Sequence, residues 1–200
     1  YITANDEASV DALIRYLPYL SSWRSLVFEA RKRSDIKNLA EEITSPCLYN
    51  MDKISAIHRW VFTNIEYKTT TRVIPPWELI KTRQGDCKSF TCLISALLGV
   101  LNISSWFKLV QLKGYEARHI YNYVKASWYP VDGTGLYCFE EIKRVTGYIL
   151  FEIDKTYDMP PTALPSPEEA EVVPPPIFIQ EGDIMSIAMI LLLLGMFKEK

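Results

Sequence analysis

From Pro160 to Pro176 seven of seventeen residues are proline, and the only charges there are Glu168, Glu169 and Glu171. Proline has no amide donor and fixes φ at roughly −65°, so neither a helix nor a central strand runs through such a segment. It is expected to be an extended spacer, spanning roughly 50 Å at about 3.1 Å per residue. The break divides the chain into a mixed apolar, aromatic and charged stretch up to Asp158, a Pro-rich linker over 159–182 and an apolar tail over 183–200. Any hydrophobic core has to come from the first part, whose length suits one domain. Within that part, 1–50 reads as a helical segment packing on a core formed by 51–158. The 22 basic and 24 acidic side chains leave a net charge of −2, which excludes the basic excess of a nucleic-acid binder.

The tail, Ile184 to Phe197, holds fourteen consecutive residues without a charge. As a helix it would rise about 21 Å, short of the roughly 30 Å hydrocarbon layer. Asp183 is placed to cap it, and Lys198 and Lys200 to reach a head-group region. Beyond Ser186 it has no polar face. Two occupants fit: a membrane, or a partner subunit that buries the helix. If the tail inserts, its lysines favour a cytoplasmic C-terminus and place the domain outside the cytoplasm or on a particle surface. The chain starts at Tyr1, so the absence of a signal peptide says nothing about export.

The first third reads as helical. Ala8 to Leu20 is expected to be a helix ended by Pro18, and Ser34 or Asp35 to cap a short helix through Ile43, stopped by Pro46. Asp52 to Ile65 carries Ile54, Ile57, Val61 and Ile65 at helical spacing. His58 lies beside that stripe and reads as a core histidine. After Pro75-Pro76 comes a short apolar turn, Trp77 to Ile80. The second half changes period. Ser105 to Leu112 and His119 to Ala126 read as strands, with His119, Tyr121 and Tyr123 facing one way and Ile120, Asn122 and Val124 the other. Trp128 to Asp132 reads as the return strand, ended by Gly133-Thr134-Gly135. Helices followed by an antiparallel sheet indicate an α+β domain.

Four cysteines, Cys47, Cys87, Cys92 and Cys138, are too few for a disulfide scaffold. They form no C-x-x-C pair, and the two histidines do not complete a structural zinc site. No metal and no cofactor are expected. Cys87, in Gly85-Asp86-Cys87-Lys88-Ser89-Phe90, directly precedes a helical run whose Phe90, Leu93, Ile94, Leu97, Leu98 and Leu101 form one apolar face. In the first turn of a helix, free amides and the positive dipole end stabilise a thiolate. Cys92 is turned roughly 140° from Cys87 around the helix and reads as core. A thiol nucleophile needs a base within reach and a third group to orient it. His119 begins one strand and Asp132 ends the next. A two-residue loop at Ala126-Ser127 pairs Tyr121 with Asp132 and makes His119 the same-face diagonal neighbour of Asp132. Moved back by one residue, it sets His119 directly opposite. A three-residue loop would put them on opposite faces.

Gly85-Asp86-Cys87 at a helix start, His119-Ile120-Tyr121 on a strand and Val131-Asp132-Gly133-Thr134 on the next resemble the core of the transglutaminase-like superfamily. The resemblance runs from about Lys53 to Thr134 and includes Ile57 to Val61 and Ile65-Glu66-Tyr67. It implies a papain-like cysteine-protease fold with Cys87 as nucleophile, His119 as base and Asp132 as the orienting carboxylate. The family more often has a small residue and then tryptophan after the histidine, and proline after the aspartate. Here those positions hold Ile120-Tyr121 and Gly133. For the oxyanion, the Cys87 amide is one donor, with Gln84 or the Trp77 indole as the second.

Two functions follow as expectations. One is a thiol-dependent acyl-transfer enzyme acting on a peptide or protein amide, with hydrolysis preferred over cross-linking because no accessory domain is evident. The other is a catalytically silent transglutaminase-like structural protein of a membrane-associated assembly or virion, docked through Ile184–Phe197.

Overall fold

A helix that is apolar on nearly every side has to be covered on nearly every side. The segment Cys87–Val100 is such a helix, and every residue from Ser89 to Leu98 is buried. Leu93, Ile94, Leu97 and Leu98 are fully buried, each worth about 1.5–3 kcal/mol of transfer free energy. Around it the computed structural model describes residues 2–4, 13–112, 118–124, 129–135, 138–139 and 145–154. The helices are α1 (Leu17–Lys32), α2 (Ser34–Thr44), α3 (Asn50–Asn64), α4 (Pro76–Thr82) and α5 (Cys87–Val100). The strands are β1 (Ile2–Ala4), β2 (Glu66–Tyr67), β3 (Gln84–Gly85), β4 (Ser105–Leu112), β5 (Arg118–Val124), β6 (Tyr129–Val131) and β7 (Val145–Glu152).

Five strands form an antiparallel sheet in the order β1-β7-β4-β5-β6, and β2 and β3 form a separate parallel pair. The α+β class is therefore as the period change indicates. The order is not simply helices and then sheet, however. Strand β1 comes from the N-terminal segment and pairs Thr3 with Tyr148 of β7. Helix α1 also departs from expectation. Pro18 lies in its first turn instead of ending a helix, because a residue without an amide proton costs nothing where that proton would have no intrahelical partner. Helices α2 and α3 start and end within two residues of the expected limits. The linker over 159–182, the tail over 183–200 and the loop 125–128 lie outside the described residues. Among the described residues no helix is long and apolar enough to cross a membrane.

The position of α5 against the sheet is set by a buried polar seam. The Thr91 hydroxyl donates to the Ile120 carbonyl at 3.1 Å, and the Asn122 amide donates to the Thr91 carbonyl and to the Ser95 hydroxyl. Ser105 adds a hydroxyl contact to Ser95 at 3.2 Å. An apolar interface of this kind tolerates sliding, whereas buried donors and acceptors cost about 1–3 kcal/mol each when left unpaired. The seam thus locks helix to strand in one register. Thr91 is one turn below Cys87, and Ile120 adjoins His119, so the lock lies directly under the two residues that matter most.

Candidate active site

Cys87 is the first residue of α5 and is 6% exposed. What holds it there is the turn before it. Strands β2 and β3 pair Glu66 with Gln84 and Tyr67 with Gly85, and the Lys68 amide donates to the Gly85 carbonyl at 2.7 Å. A Cβ on Gly85 would lie 2.7 Å from Leu79 Cδ1 and 3.2 Å from Ser89 Cβ, so a side chain there would have to displace Leu79 and press on Ser89. Asp86 caps the helix. Its Oδ1 accepts from the Ser89 amide and hydroxyl, and its Oδ2 accepts from the Thr70 amide at 3.1 Å and from Lys88 Nζ, with the Thr70 hydroxyl 2.7 Å away. Lys88 donates to the Thr70 carbonyl at 2.8 Å, and the Ile74 amide donates to the Ser89 hydroxyl at 2.9 Å. The segment 70–74 is thereby strapped along the first turn of the nucleophile helix.

Strands β5 and β6 pair Asn122 with Val131, Tyr123 with Pro130 and Val124 with Tyr129. This is the first of the two registers considered above: continued by one residue, it sets Asp132 beside Tyr121 and diagonal to His119. His119 Nε2 lies 2.6 Å from Asp132 Oδ2, with both residues buried. The Thr134 amide and hydroxyl donate to Asp132 Oδ1 at 3.0 and 2.8 Å. Burial alone would raise the Asp132 pKa, but the His119 charge and hydrogen bond, with those from Thr134, hold it below the usual carboxylate range. Burial would likewise lower His119. The charge and hydrogen bond of Asp132, followed by those of Cys87, push it up to about 10. Asp132 occupies Nε2, and among the described residues nothing lies at hydrogen-bond geometry on Nδ1.

Gly133 lies where the family more often has proline. A Cβ there would come 2.8 Å from Ile94 Cδ1 and 3.2 Å from Val61 Cγ1. The turn carrying Asp132 therefore rests directly on α5 and α3.

Of the two candidate oxyanion side chains, Gln84 is hydrogen-bonded to β2 and its neighbour. The Gln84 amide donates to Glu66 at 2.9 Å and its carbonyl accepts from Lys68, while Arg33 lies over the Trp77 ring at 5.3 Å. None of these described contacts brings either residue to the Cys87–His119 pair. Tyr67, to which the motif reading assigns no role, is nearer the chemistry. Its backbone pairs with Gly85, and its ring meets Phe90 edge-on at 6.0 Å. Burial, followed by the charges of Cys87 and Asp86, pushes its phenol well above the ordinary value. Cys92 is fully buried under the Trp23 carbonyl, and burial pushes its thiol up; Cys138 is pushed up to about 12. Among the described residues no group of three or more His, Cys, Asp or Glu is arranged to hold a metal ion.

His58 acts on the site from behind. Its Nε2 is 2.9 Å from the Asp132 carbonyl and 3.0 Å from the Gly135 carbonyl, so a neutral ring protonated at Nε2 donates to both. Burial lowers its pKa despite these bonds. His58→Phe is expected to keep the stacking on Phe62 and to lose about 1–3 kcal/mol of stability. The depressed value also has a sign: stability is full above about pH 6.5 and falls below it, because the unfolded chain takes the proton first. Urea denaturation at pH 5 and 7.5 should show part of that slope in wild type missing from the variant.

The chain is an α+β domain in which a cysteine starts a buried helix and an antiparallel sheet brings a histidine and an aspartate together. The profile of the transglutaminase-like superfamily matches residues 37–153, and the chain belongs to that superfamily. It is 26% identical over 143 residues to a UPF0252 protein of Methanocaldococcus jannaschii, covering 64% of this chain and 39% of that protein. The chain thus spans about two fifths of the curated relative it matches. Among solved structures it resembles a candidate cysteine protease from Cytophaga hutchinsonii, with a TM-score of 0.46 and 21% identity over 59% of this chain and 41% of the other. A structure described as a TGase gives a TM-score of 0.42 and 13% identity, covering 62% and 34%.

Proposed function

We propose that the domain is a thiol-dependent acyl-transfer enzyme acting on amide bonds, with Cys87 as nucleophile, His119 as proton carrier and Asp132 as the group that orients the imidazole. The observation that carries this reading is the His119–Asp132 contact of 2.6 Å on Nε2, which leaves Nδ1 for Cys87. The Cys87 sulfur attacks the carbonyl carbon and a C–S bond forms as the carbonyl π pair moves to oxygen. When that pair returns, the C–N bond breaks and His119 gives its proton to the leaving amine. An incoming water or amine then transfers a proton to His119 as it displaces sulfur. Superfamily membership and the papain-like arrangement support the reading.

The test is the pH profile of iodoacetamide alkylation, resolved by cysteine with mass spectrometry, for wild type and His119→Ala. Cys87 is expected to react at least about tenfold faster than Cys47, Cys92 and Cys138 at pH 6.5, since a thiolate paired with an imidazolium is the reactive species. Its advantage should fall as pH rises through about 10, where His119 loses its charge. In His119→Ala the advantage should disappear. Equal reactivity of Cys87 and Cys47 in wild type would end the enzyme reading.

A further inference from the structure

We infer that His58 is a positioning residue of the acyl-transfer site: from α3 it fixes the turn that carries Asp132, and through Asp132 the orientation of His119; this rests on the acyl-transfer reading above. The turn 132–135 shapes itself. The Thr134 amide and hydroxyl hold Asp132 Oδ1, and the Gly135 amide donates to the Asp132 carbonyl at 3.1 Å. Those bonds lie inside the turn and fix its form, not its place. Among the described residues, the hydrogen bonds that tie the turn to the helices both end on His58 Nε2, 2.9 Å from the Asp132 carbonyl and 3.0 Å from the Gly135 carbonyl. About one turn further along α3, Val61 lies under Gly133 together with Ile94 of α5, where a Cβ would meet them at 3.2 and 2.8 Å.

The consequence for the chemistry runs through one short contact. A carbonyl only accepts, so two carbonyls on one nitrogen require the proton on Nε2, and the buried ring, stacked on Phe62, donates to both. The charges acting on His58 are those of Asp132 and Arg59, and those acting on His119 are Asp132 and Cys87. Asp132 Oδ2 sits 2.6 Å from His119 Nε2. A carboxylate displaced by about 1 Å is out of hydrogen-bond range there, and misplacement on that scale costs up to about 10²-fold in rate. Without His58 the turn keeps its form and its seat on Val61 and Ile94, but an apolar seat tolerates sliding, and two buried carbonyls lose a donor. His58 itself exchanges no proton with the reacting groups, so the balance of the reaction is that already given.

Three variants separate this role from plain support of the fold. His58→Phe keeps a ring against Phe62 and removes the donor. His58→Gln supplies an amide N–H of similar reach. His58→Asn is one carbon shorter, reaches neither carbonyl, and replaces the phenylalanine variant if that does not fold. Acylation is followed with p-nitrophenyl acetate, where a C–S bond forms and p-nitrophenolate leaves, and alkylation with iodoacetamide across pH. Without the donor, acylation of Cys87 is expected to be about 10–100-fold slower. The pH at which Cys87 loses its alkylation advantage should drop by about one unit or more, because a carboxylate in contact raises an imidazole by about 1–3 units. The proton NMR resonance of the His119–Asp132 hydrogen bond, identified by its loss in Asp132→Ala, should disappear with it. His58→Gln should restore the resonance and the pH midpoint, and acylation to within about threefold of wild type. A fold defect alone lowers the active fraction equally at every pH and moves neither midpoint nor resonance. Midpoint and resonance unchanged in the variants without the donor overturn the inference, as does a glutamine variant no better than phenylalanine; selective alkylation of wild-type Cys87 would then still uphold the acyl-transfer reading. Unselective alkylation of wild-type Cys87 removes that reading, and the resonance alone then decides whether His58 holds Asp132 on His119.

Discussion

Asp132→Ala should lower Cys87 acylation by about 10⁴-fold, the loss typical of removing the group that orients a catalytic imidazole. The geometry gives the reason. Asp132 fills the Nε2 side of His119 at 2.6 Å, which in the proposed triad leaves Nδ1 for the sulfur. Without the carboxylate, burial is left as the dominant influence on His119 and lowers its pKa, and the imidazolium that would protonate a leaving amine is lost. The same variant should cost about 3–5 kcal/mol of stability, because it leaves a buried partner uncompensated. That cost has a pH window. His119 is raised, so its share is complete below about pH 6.5 and fades as pH climbs toward 10; Asp132 is lowered, so its share is complete above about pH 4 and fades below that. The stability gap between wild type and Asp132→Ala should therefore be widest between about pH 4 and 6.5. A gap that is flat from pH 4 to 9, or acylation within tenfold of wild type, would remove Asp132 from the site.

Residues at element ends were the legible ones. Cys87 follows a glycine and an N-capping aspartate at the start of a long apolar run, and His119 and Asp132 punctuate two strands of clear alternation; each signal is local. The lock between Thr91 and Ile120 was not legible, because neither residue differs from ordinary filler until helix and strand are packed. Pro18 illustrates a different failure: proline is compatible with the first turn of a helix and incompatible with its interior, and the pattern on either side of it did not decide between them. Strand β7 escaped because Gly147 interrupts its apolar pattern and its partners, β1 and β4, are far away in the chain. In the sequence His58 reads as a core histidine beside a helical stripe, and its burial agrees with that, but its hydrogen-bond partners have no local signal. The His58 ring bonds across 74 residues to the Asp132 carbonyl, and no periodicity reports that.

Asp86→Ala should be strongly destabilising although Asp86 lies outside the proposed triad. Asp86 has two tasks that are separate in most helices. It caps α5 through Ser89, a contribution of about 1 kcal/mol. It also neutralises Lys88, whose side chain is 17% exposed, and anchors Thr70, so that the segment 70–74 lies along the first turn of α5. Removing it leaves an ammonium group half-withdrawn from water next to backbone donors. Breaking a fully buried pair costs about 3–5 kcal/mol, and the partial exposure of Lys88 puts this site at the lower end. The sum is about 4 kcal/mol, or roughly 8–16 °C in Tm for a domain of this size. Asp86→Asn separates the tasks. Its amide oxygen still accepts from Ser89, so the cap survives, whereas the ion pair with Lys88 does not. Its loss should fall between wild type and Asp86→Ala, and Lys88→Met added to Asp86→Ala should recover part of the deficit by removing the stranded charge. Thermal melts of the four proteins at pH 7 decide the matter. If Lys88→Met recovers nothing, the ion pair contributes little and the cap with its Thr70 anchor accounts for the effect. If Asp86→Asn matches wild type, the carboxylate charge has no structural role, and the short first turn on which Cys87 sits is held by hydrogen bonds alone.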